Sequence, residues 1–374
     1  MLVVPLFSGL VALVMVAVSW WMPAAVRPTL PFGVRIPPEY ARDPAVRRAR
    51  VWYRGGLVAI TAAVAGLTAW AAARPDQPLA GLASVGAVLL LSTVDYYLVH
   101  RRLHAVKVRQ GWYTGQRPAV AADTGWRATM PAFPVVWLLP ALTVILVTLA
   151  LAIWRYPALP PRIALHYGPT GQPDAWARTT PASAILPFML PQVVLTGVLA
   201  GVVELMRRAR QDVDATDPVA SAQRQRAFRR IAGRALLLVA AVTNLVQLLV
   251  AVQVWGLLAV PSGTILPVVL ALSLAAVIGL AIVFLRLGQG GSRLPLRGQA
   301  RPTGYVNRDD DAFWKGGLIY VNRNDPAFFV EKRYGIGWTL NVGHPLAGPA
   351  VLALLLILFL SVLLPFLTTQ GVHR

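Results

Sequence analysis

The stretch ILPVVLALSLAAVIGLAIVFL, at residues 265–285, contains no charged residue and decides how the chain must fold. About 20 apolar residues in a helix, each rising about 1.5 Å, cover the roughly 30 Å of hydrocarbon in a bilayer. Similar runs recur along all 374 residues and predict eight transmembrane helices. The predicted spans are residues 2–23, 55–73, 79–99, 131–153, 184–206, 235–260, 265–285 and 345–367.

The composition agrees with a chain whose solvent is largely lipid. Hydrophobic residues make up 56% of the sequence and charged residues 13%, whereas a soluble globular domain carries about 25% charged residues. The net charge of +20 would suggest nucleic-acid binding in a soluble protein, but the basic residues lie between apolar runs. We therefore predict no nucleic-acid partner. The absence of cysteine excludes disulfides, thiolate catalysis and thiolate metal ligands.

Lysine and arginine are divided unequally between alternate connections. Of the 35 such residues, 30 lie in four connections, at residues 27–54, 101–127, 207–234 and 286–333. Because short cytoplasmic loops retain positive charge, these four connections are predicted to be cytoplasmic and both termini extracytoplasmic. We therefore assign the arginine-rich connections to fixing the topology of a multi-pass plasma-membrane protein, whose first partner is the lipid bilayer.

The predicted fold is an all-α integral membrane protein with a small β-rich piece before the last helix. Prolines interrupt several spans, where each removes a backbone donor and favours a kink; they are Pro134, Pro140, Pro187, Pro191 and Pro267. The predicted units are a three-helix region at 1–130, a helix pair with an external loop at 131–206, a basic loop and helix pair at 207–300, a small cytoplasmic module at 301–344, and a last helix with an external tail at 345–374.

Polar groups inside the spans are few. Asp95, in LSTVDYYLVHRR, lies about 8 Å inside the membrane boundary. A carboxylate at that depth must be protonated, paired or reached by water, so Asp95 is a candidate for transport or signalling. The alternative is that Arg101 and Arg102 extend toward it. Asn244 and Gln247 share one helix face, where amides that bond between helices contribute about 0.6 to 2 kcal/mol each, and we favour packing over a substrate site.

No catalytic constellation is present in the sequence. It has no serine elbow, no phosphate-cradling glycine loop and no paired carboxylates within a span. His100 and His104 have the spacing of two metal ligands on one helix, but Arg101 and Arg102 between them would repel a divalent cation. We therefore predict no enzyme activity, no cofactor and no metal.

The external connection RYPALPPRIALHYGPTGQPDAWARTTP, at residues 155–181, is too ordered in composition for a plain linker. Residues 163–167 alternate with the period of a short half-buried strand, and residues 168–171 are typical of a turn. Asp174 is placed to cap a short helix that carries Trp176 to the membrane interface. The segment predicts a compact cap over the outer end of the helix bundle.

The same segment resembles a known family. The pattern Ile163-x-x-His166, followed by Gly171-x-x-Asp174-x-Trp176, is similar to an uncharacterised bacterial membrane domain. That domain also occurs in the immunity protein against the sporulation-delaying toxin of bacilli. The resemblance implies kinship in architecture, and it makes His166, Gly171, Asp174 and Trp176 candidate residues for a ligand or partner.

The resemblance also implies a mode of signalling. In that family a soluble repressor is held at the membrane, so the basic loops become the place for a soluble cytoplasmic regulator and the cap the place for an external peptide. The segment GVRIP, at residues 33–37, has the outline of the immunity protein's second hallmark, although Ile36 stands where threonine is expected. Asp43 and Pro44 are placed to start a basic helix that continues through Arg54.

The last cytoplasmic connection contains two similar segments, YVNRDD at 305–310 and YVNRND at 320–325. Its residues 313–341 resemble another uncharacterised module of bacterial membrane proteins. The matching positions are Trp314, Gly317, Tyr320, Asn322, Asp325, Pro326, Gly335, Gly337, Trp338, Thr339 and Asn341. Of these, Trp314, Asn322, Asp325, Trp338 and Asn341 are the candidates for a surface that docks a soluble partner.

Strand and turn chemistry dominates this connection. Residues 318–321 and 338–340 predict two strands, joined by an Asn-Asp-Pro turn and a Gly-Ile-Gly bend. The successive carboxylates Asp309, Asp310 and Asp311 raise the alternative of a cation site. Three neighbouring aspartates do not converge on one ion unless a loop folds them inward, so we favour a solvated turn.

Two functions compete at this point. The leading hypothesis is a non-enzymatic membrane protein with a sensory, immunity-like or regulatory role, because the ordered residues lie in loops on both faces. It would couple the external cap to the cytoplasmic loops. The alternative is a secondary transporter or ion-coupled permease that uses the kinked helices and Asp95.

Overall fold

The membrane part consists of long, nearly unbroken helices. The computed structural model describes residues 3–74, 80–123, 125, 130–167, 173–258, 262–295, 303–356 and 359. Its helices are α1 (Val3–Ala25), α2 (Pro44–Ala72), α3 (Ala80–Gln110), α4 (Val135–Arg155), α5 (Pro181–Arg208), α6 (Pro218–Val254), α7 (Ser262–Leu287) and the shorter α8 (Ala347–Leu356). Seven helices of this described part are long and apolar enough to cross a membrane, which confirms the all-α multi-span prediction. Part of the predicted eighth span lies outside the described residues.

Three of the helices begin at a capping residue followed by proline. The side chains of Asp43 and Asp217 each accept a hydrogen bond from the first turn of α2 and α6, and Thr180 forms a capping box with Ser183 at the start of α5. Proline suits the first helical position because its missing N–H would have no intrahelical partner there. The helix start predicted at Asp43 and Pro44 is confirmed, and both α2 and α6 begin well before their apolar spans.

The strands are short and form only pairs. They are β1 (Pro118–Ala119), β2 (Arg162–Tyr167), β3 (Pro173–Arg178), β4 (Val306–Asn307), β5 (Trp314–Lys315), β6 (Ile319–Tyr320), β7 (Phe329–Glu331) and β8 (Trp338–Leu340). Antiparallel pairs form between β2 and β3, between β5 and β6, and between β7 and β8, while β1 and β4 are parallel.

The strands β2 and β3 form a hairpin between α4 and α5. Ile163 lies opposite Ala177, and Ala164 lies opposite Trp176. The strand predicted at 163–167 is confirmed. The short helix predicted after Asp174 is wrong, because that segment pairs with β2 through its backbone.

The four basic connections fold together on the opposite side. We call this unit the loop domain; it comprises residues 26–43, 111–123, 209–217, 288–295 and 303–346. The parallel pair β1–β4 joins the second connection to the fourth, a bridge between Ala121 and Val213 joins the second to the third, and the backbone N–H of Arg27 donates to Gln289 Oε1 at 3.1 Å. The loop domain therefore draws on every basic connection, not on residues 301–344 alone.

The β-rich piece predicted before the last helix is confirmed, with a different pairing. Of the strands predicted at 318–321 and 338–340, the first is present as the shorter β6 and the second as β8, but β6 pairs with β5 and β8 pairs with β7. An isolated bridge between Tyr320 and Asn341 joins the two pairs.

A tight turn fastens the loop domain to α3. Phe32 and Gly33 both have positive φ angles, 49° and 76°, and the Phe32 carbonyl accepts from Tyr96 Oη at 3.0 Å and from His100 Nδ1 at 2.8 Å. The Phe32 ring stacks on Tyr334 of the loop domain, with 6.0 Å between ring centroids. The turn thus lies between a membrane helix and the last connection.

The helices themselves pack in two groups. α1, α2 and α3 form one group, α4, α5 and α6 form the other, and α7 contacts both α6 and α1. Inside the second group, Asn244 Nδ2 donates to Thr196 Oγ1 at 2.9 Å and to the Ala141 carbonyl at 3.3 Å. Gln192 Nε2 donates to Thr148 Oγ1 at 3.1 Å. Asn244 therefore bonds between helices as predicted, within a buried polar group that spans three of them.

Candidate functional site

A buried group of opposite charges lies at the centre of the loop domain. We call it the charge cluster; its members are Arg27, Arg35, Lys107, Asp212, Asp309, Asp310, Asp311, Glu331 and Arg333. The exposed fraction of each of the four cationic side chains is 9% or less. A cation that is buried this deeply is stable only when carboxylates pair with it.

Arg27 and Arg35 bring the first basic connection into the cluster. Arg27 Nη1 lies 2.8 Å from Asp212 Oδ2, and Arg27 also pairs with Glu331. Arg35 Nε donates to Asp310 Oδ1 at 2.6 Å. Burial alone would raise the pKa of Asp212, but the two guanidinium groups outweigh it and hold that pKa below its usual value. About a third of the Asp212 side chain is exposed, so solvent weakens this pair relative to the fully buried ones.

Lys107 and Arg333 close the cluster around two successive aspartates. Lys107 Nζ lies 2.6 Å from Asp311 Oδ2, and Arg333 pairs with both Asp310 and Asp311. Arg333 Nη1 also donates to the Gly33 carbonyl at 3.2 Å. Burial opposes ionisation of Asp311, but Arg333 and Lys107 outweigh it and lower its pKa, so the carboxylate is charged at neutral pH.

These contacts correct one prediction and extend another. The solvated turn predicted at residues 309–311 is wrong for Asp310 and Asp311, because arginines distant in sequence fold over them. The basic connections, which were assigned chiefly to fixing the topology, have a further role at Arg27, Arg35 and Arg333, which are buried ion-pair partners. Among the described residues, no group of histidine, aspartate or glutamate is arranged to hold a metal ion.

A cavity of about 500 Å³ opens beside the charge cluster, and Arg35 reaches it. On its wall, Asp325 Oδ2 accepts from Arg210 Nη1 at 2.6 Å and from Tyr320 Oη at 2.8 Å. Asn322 Nδ2 donates to Tyr320 Oη at 3.1 Å. Just over half of the Arg210 side chain is exposed. The cavity therefore offers both charge signs and several hydrogen-bonding groups, a lining suited to a polar peptide segment.

Asn341 holds this wall in place. Its side chain is fully buried; it donates to the carbonyls of Asn322 and Asp325 and accepts from the backbone N–H groups of Asn322 and Gly343, all between 2.8 and 3.1 Å. Asp325 Oδ1 in turn accepts from Ala327 N at 2.9 Å. The Asn-x-x-Asp-Pro and Thr-Leu-Asn elements of the sequence are therefore two halves of one hydrogen-bonded scaffold.

The two predicted tryptophans lie apart from each other. Trp314 is buried with its ring centroid 5.0 Å from that of Tyr320, beneath the guanidinium of Arg333. Trp338 packs instead on Phe228 of α6, with 5.8 Å between ring centroids. The structure thus brings Asn322, Asp325 and Asn341 together at one wall, with Trp314 packed behind it on Tyr320, and places Trp338 at the junction with the helices.

The hairpin carries the candidates on the other side of the membrane part. About half of Trp176 is exposed on β3, and His166 lies opposite Ala175 in the ladder. Gly171 lies outside the described residues, as do the side chains of His166 and Asp174. Among the described residues, no contact joins the Trp176 side chain to the charge cluster.

Asp95 occupies a contact between α3 and α2. A methyl group placed on Gly56 would lie 2.4 Å from Asp95 Oδ1, so the carboxylate abuts the Gly56 backbone. Its Oδ2 is buried and has no hydrogen-bond partner among the described residues. Arg101 and Arg102, whose extension toward Asp95 was the alternative, lie over the rings of Tyr97 and Trp52.

Gln247 is half-buried on the same helix as Asn244. The structure brings Gln192 of α5 to Asn244, with its Nε2 donating to the Asn244 carbonyl at 3.2 Å. The pairing of Gln192 with Asn244 could not be inferred from the spacing within α6, because its second member lies on another helix.

The fold and the site together define a multi-pass helical membrane protein with a polar loop domain on one side. Two family models match parts of the chain. A Domain of unknown function (DUF1648) matches residues 143–190, which cover the second half of α4, the hairpin and the start of α5. A Family of unknown function (DUF5808) matches residues 323–348, from the cavity wall to the start of α8. No curated protein and no solved structure matches the chain.

The two matches agree with the resemblance to uncharacterised families at these segments. Kinship with the toxin-immunity protein stays a prediction. Both matched segments contribute to features of the structure: one contains the hairpin, and the other contains the scaffold of Asn341 and part of the charge cluster.

Proposed function

We propose that the protein is a non-enzymatic sensory or immunity-like regulator of the bacterial plasma membrane. In this proposal the hairpin is external and responds to a peptide or to the envelope, and the loop domain is cytoplasmic and binds a soluble regulator at its cavity. The concentration of basic residues in the loop domain supports its cytoplasmic location. The ion pair of Asp325 with Arg210 places both charge signs on the cavity wall, where a polar segment of a partner can pair with each.

The observation that carries the proposal is the continuity of α5. At one end, Ser183 Oγ donates to the Arg178 carbonyl at 2.8 Å, and Thr179 N donates to the Pro161 carbonyl at 2.9 Å, so the helix start is bonded to the hairpin. At the other end, the chain leaves Arg208 and within four residues supplies Arg210 to the cavity and Asp212 to the charge cluster. One helix therefore ties the hairpin to the candidate site.

Arg229 of α6 braces the inner end of that helix. Its Nη1 donates to the carbonyls of Met206 and Ala209, each at 2.8 Å. Met206 lies in the last turn of α5, where backbone carbonyls lack intrahelical partners, and Ala209 directly follows the helix. A displacement of α5 would thus be transmitted to α6 and to the cavity rather than absorbed by a free helix end.

A reporter at the cavity tests the coupling. The chain contains no cysteine, so Asn324→Cys, on the cavity rim, gives a single thiol whose maleimide reaction can be followed in nanodiscs. Trp176→Ala removes an interfacial aromatic from the hairpin. We expect it to change the reaction rate at position 324 by about twofold or more, although the two sites lie on opposite sides of the membrane part.

The matched control is Trp70→Ala, combined with the same reporter. Trp70 is also an exposed tryptophan on the hairpin side, but it lies near the end of α2, which packs on α1 and α3. The coupling proposal requires an unchanged rate in this control. The proposal would be contradicted if the maleimide reaction rate were the same in the reporter protein and in both tryptophan variants. It would also be contradicted if both tryptophan variants changed that rate equally.

Ion-coupled transport is the second candidate, and the unpartnered Oδ2 of Asp95 favours it. A carboxylate inside a span marks a proton or cation path when no side chain pairs with it. In proteoliposomes with a proton or sodium gradient, this function predicts flux that Asp95→Asn abolishes. Glu204→Gln is the control, because Glu204 already pairs with Arg207 and Arg208. Absence of flux under both gradients would count against transport and leaves the coupling experiment unaffected.

A further inference from the structure

A second cavity, of about 390 Å³, lies where α4, α5 and α6 meet the loop-domain side of the membrane part. It is separate from the cavity beside the charge cluster. Four arginines line it, namely Arg207, Arg229, Arg230 and Arg234, and the facing wall is formed by residues 131–137 at the start of α4. A cavity with one strongly basic wall and one apolar wall is suited to an amphiphilic anion.

Two of these arginines present unneutralised charge. Arg230 and Arg234 lie one turn apart on α6 and are both exposed. Nearby, Arg207 pairs with Glu204 and Arg226 pairs with Asp123, but neither Arg230 nor Arg234 forms an ion pair within the described residues. The cavity therefore carries positive charge that is not paired with a carboxylate in the part of the chain that the structure describes.

Aromatic rings orient two of the guanidinium groups. The guanidinium carbon of Arg234 lies 5.5 Å from the ring centroid of Trp137, and that of Arg207 lies 5.9 Å from the ring centroid of Phe133. Stacking on a ring leaves the in-plane N–H donors available for phosphate oxygens. The side chain of Arg234 is thus ordered before a ligand arrives.

The beginning of α4 adds to the positive potential. α4 starts at Val135 in the cavity wall, and no side chain caps its first turn. The positive end of the helix dipole favours a nearby anion, while the N–H groups of Val135 and Trp137 already donate to the carbonyls of Phe133 and Pro134. Arg229, held at the carbonyls of Met206 and Ala209, adds its charge at the back of the cavity.

We infer that this cavity binds the phosphate headgroup of an anionic phospholipid. Basic cavities between transmembrane helices on the cytoplasmic side recognise such headgroups. The apolar wall selects a lipid over free phosphate: Val135 and Val136 are 57% and 72% exposed, and Leu139, one turn further into the membrane, is 51% exposed. This surface continues from the arginines along α4 and gives an acyl chain a place to lie.

Binding can be measured on the purified full chain by native mass spectrometry in detergent. The probes are phosphatidylglycerol, phosphatidylcholine and inorganic phosphate. We expect phosphatidylglycerol to bind at least about tenfold more tightly than phosphatidylcholine. The double variant Arg230→Gln/Arg234→Gln should weaken the binding of phosphatidylglycerol roughly 10- to 30-fold, because each arginine near a charged headgroup contributes on the order of 1 kcal/mol. Both side chains are exposed, so the variant retains the fold.

Arg101→Gln/Arg102→Gln is the matched control. These two arginines also lie near the loop-domain end of a membrane helix, are exposed, and lie over aromatic rings. They do not line the cavity. The inference requires that this control keep native affinity for phosphatidylglycerol. It is overturned if both double variants lose affinity equally, if the two lipids bind alike, or if millimolar inorganic phosphate displaces phosphatidylglycerol and binds as tightly.

Discussion

Replacement of Arg333 by methionine is expected to destabilise the loop domain by about 3 to 5 kcal/mol, the range found when one partner of a buried ion pair is removed. The Arg333 side chain is 2% exposed and pairs with Asp310 and Asp311. Without it, Arg35 and Lys107 must neutralise both carboxylates. Amide hydrogen exchange at β7 and β8 in nanodiscs measures the effect, and protection there should fall about a hundredfold or more.

Two further variants separate the loss of charge pairing from general damage. Arg323→Met removes an exposed arginine of the same domain. The protection of β7 and β8 from hydrogen exchange in this variant should match that of the native protein, because exposed charges contribute little to stability. Arg333→Met/Asp310→Asn removes one of the stranded carboxylates and should recover part of the lost protection. Equal protection in Arg333→Met and Arg323→Met would show that the charge cluster does not hold the loop domain together.

The elements predicted well from the sequence are those encoded locally. An apolar run such as residues 265–285 specifies a span without reference to the rest of the chain. The alternation at residues 163–167 likewise predicted β2, and Asp43 with Pro44 predicted the start of α2. Each signal lies within one turn or one strand, so one sequence is enough to recognise it.

One signal in the sequence was not used, and another was given the wrong meaning. Asp217 and Pro218 repeat the capping pattern of Asp43 and Pro44, and they start α6 far outside its apolar span. Residues 173–178 alternate between half-buried and exposed positions where their side chains are described, the period of a strand, although Asp174 also suits a helix cap. In both places the capping residue had to be weighed against the periodicity of the residues that follow it, over more than one helical turn.

The candidate site could not be predicted by such patterns. Arg35 and Asp310 are 275 positions apart, and Arg27 and Glu331 are 304 apart. No spacing rule connects residues that meet only when four loops assemble. Asn341 illustrates the intermediate case: the resemblance marked the position as important, but only its four hydrogen bonds show that it supports the wall rather than facing a ligand.

The turn at Gly33 yields the second large effect, because it joins the loop domain to α3. A methyl group at this position would lie 2.6 Å from Tyr96 Oη and 2.9 Å from the Gly317 carbonyl. Contacts this short force both the Tyr96 side chain and the Gly317 backbone to move. Gly33→Ala also places an L-residue at a φ of 76°, a left-handed conformation that costs about 1 to 2 kcal/mol.

Gly304 separates these two contributions to the expected destabilisation. Its φ is also 76°, but a methyl group there would meet nothing within 4 Å. Gly304→Ala should therefore lower the free energy of unfolding only by the cost of the left-handed backbone. Gly33→Ala should lose a further 1 to 3 kcal/mol or so from overpacking, and hydrogen exchange should show the excess at residues 28–36 and in β5 and β6. If the two substitutions cost the same, Tyr96 and Gly317 yield freely, and the turn does not fix the loop domain on α3.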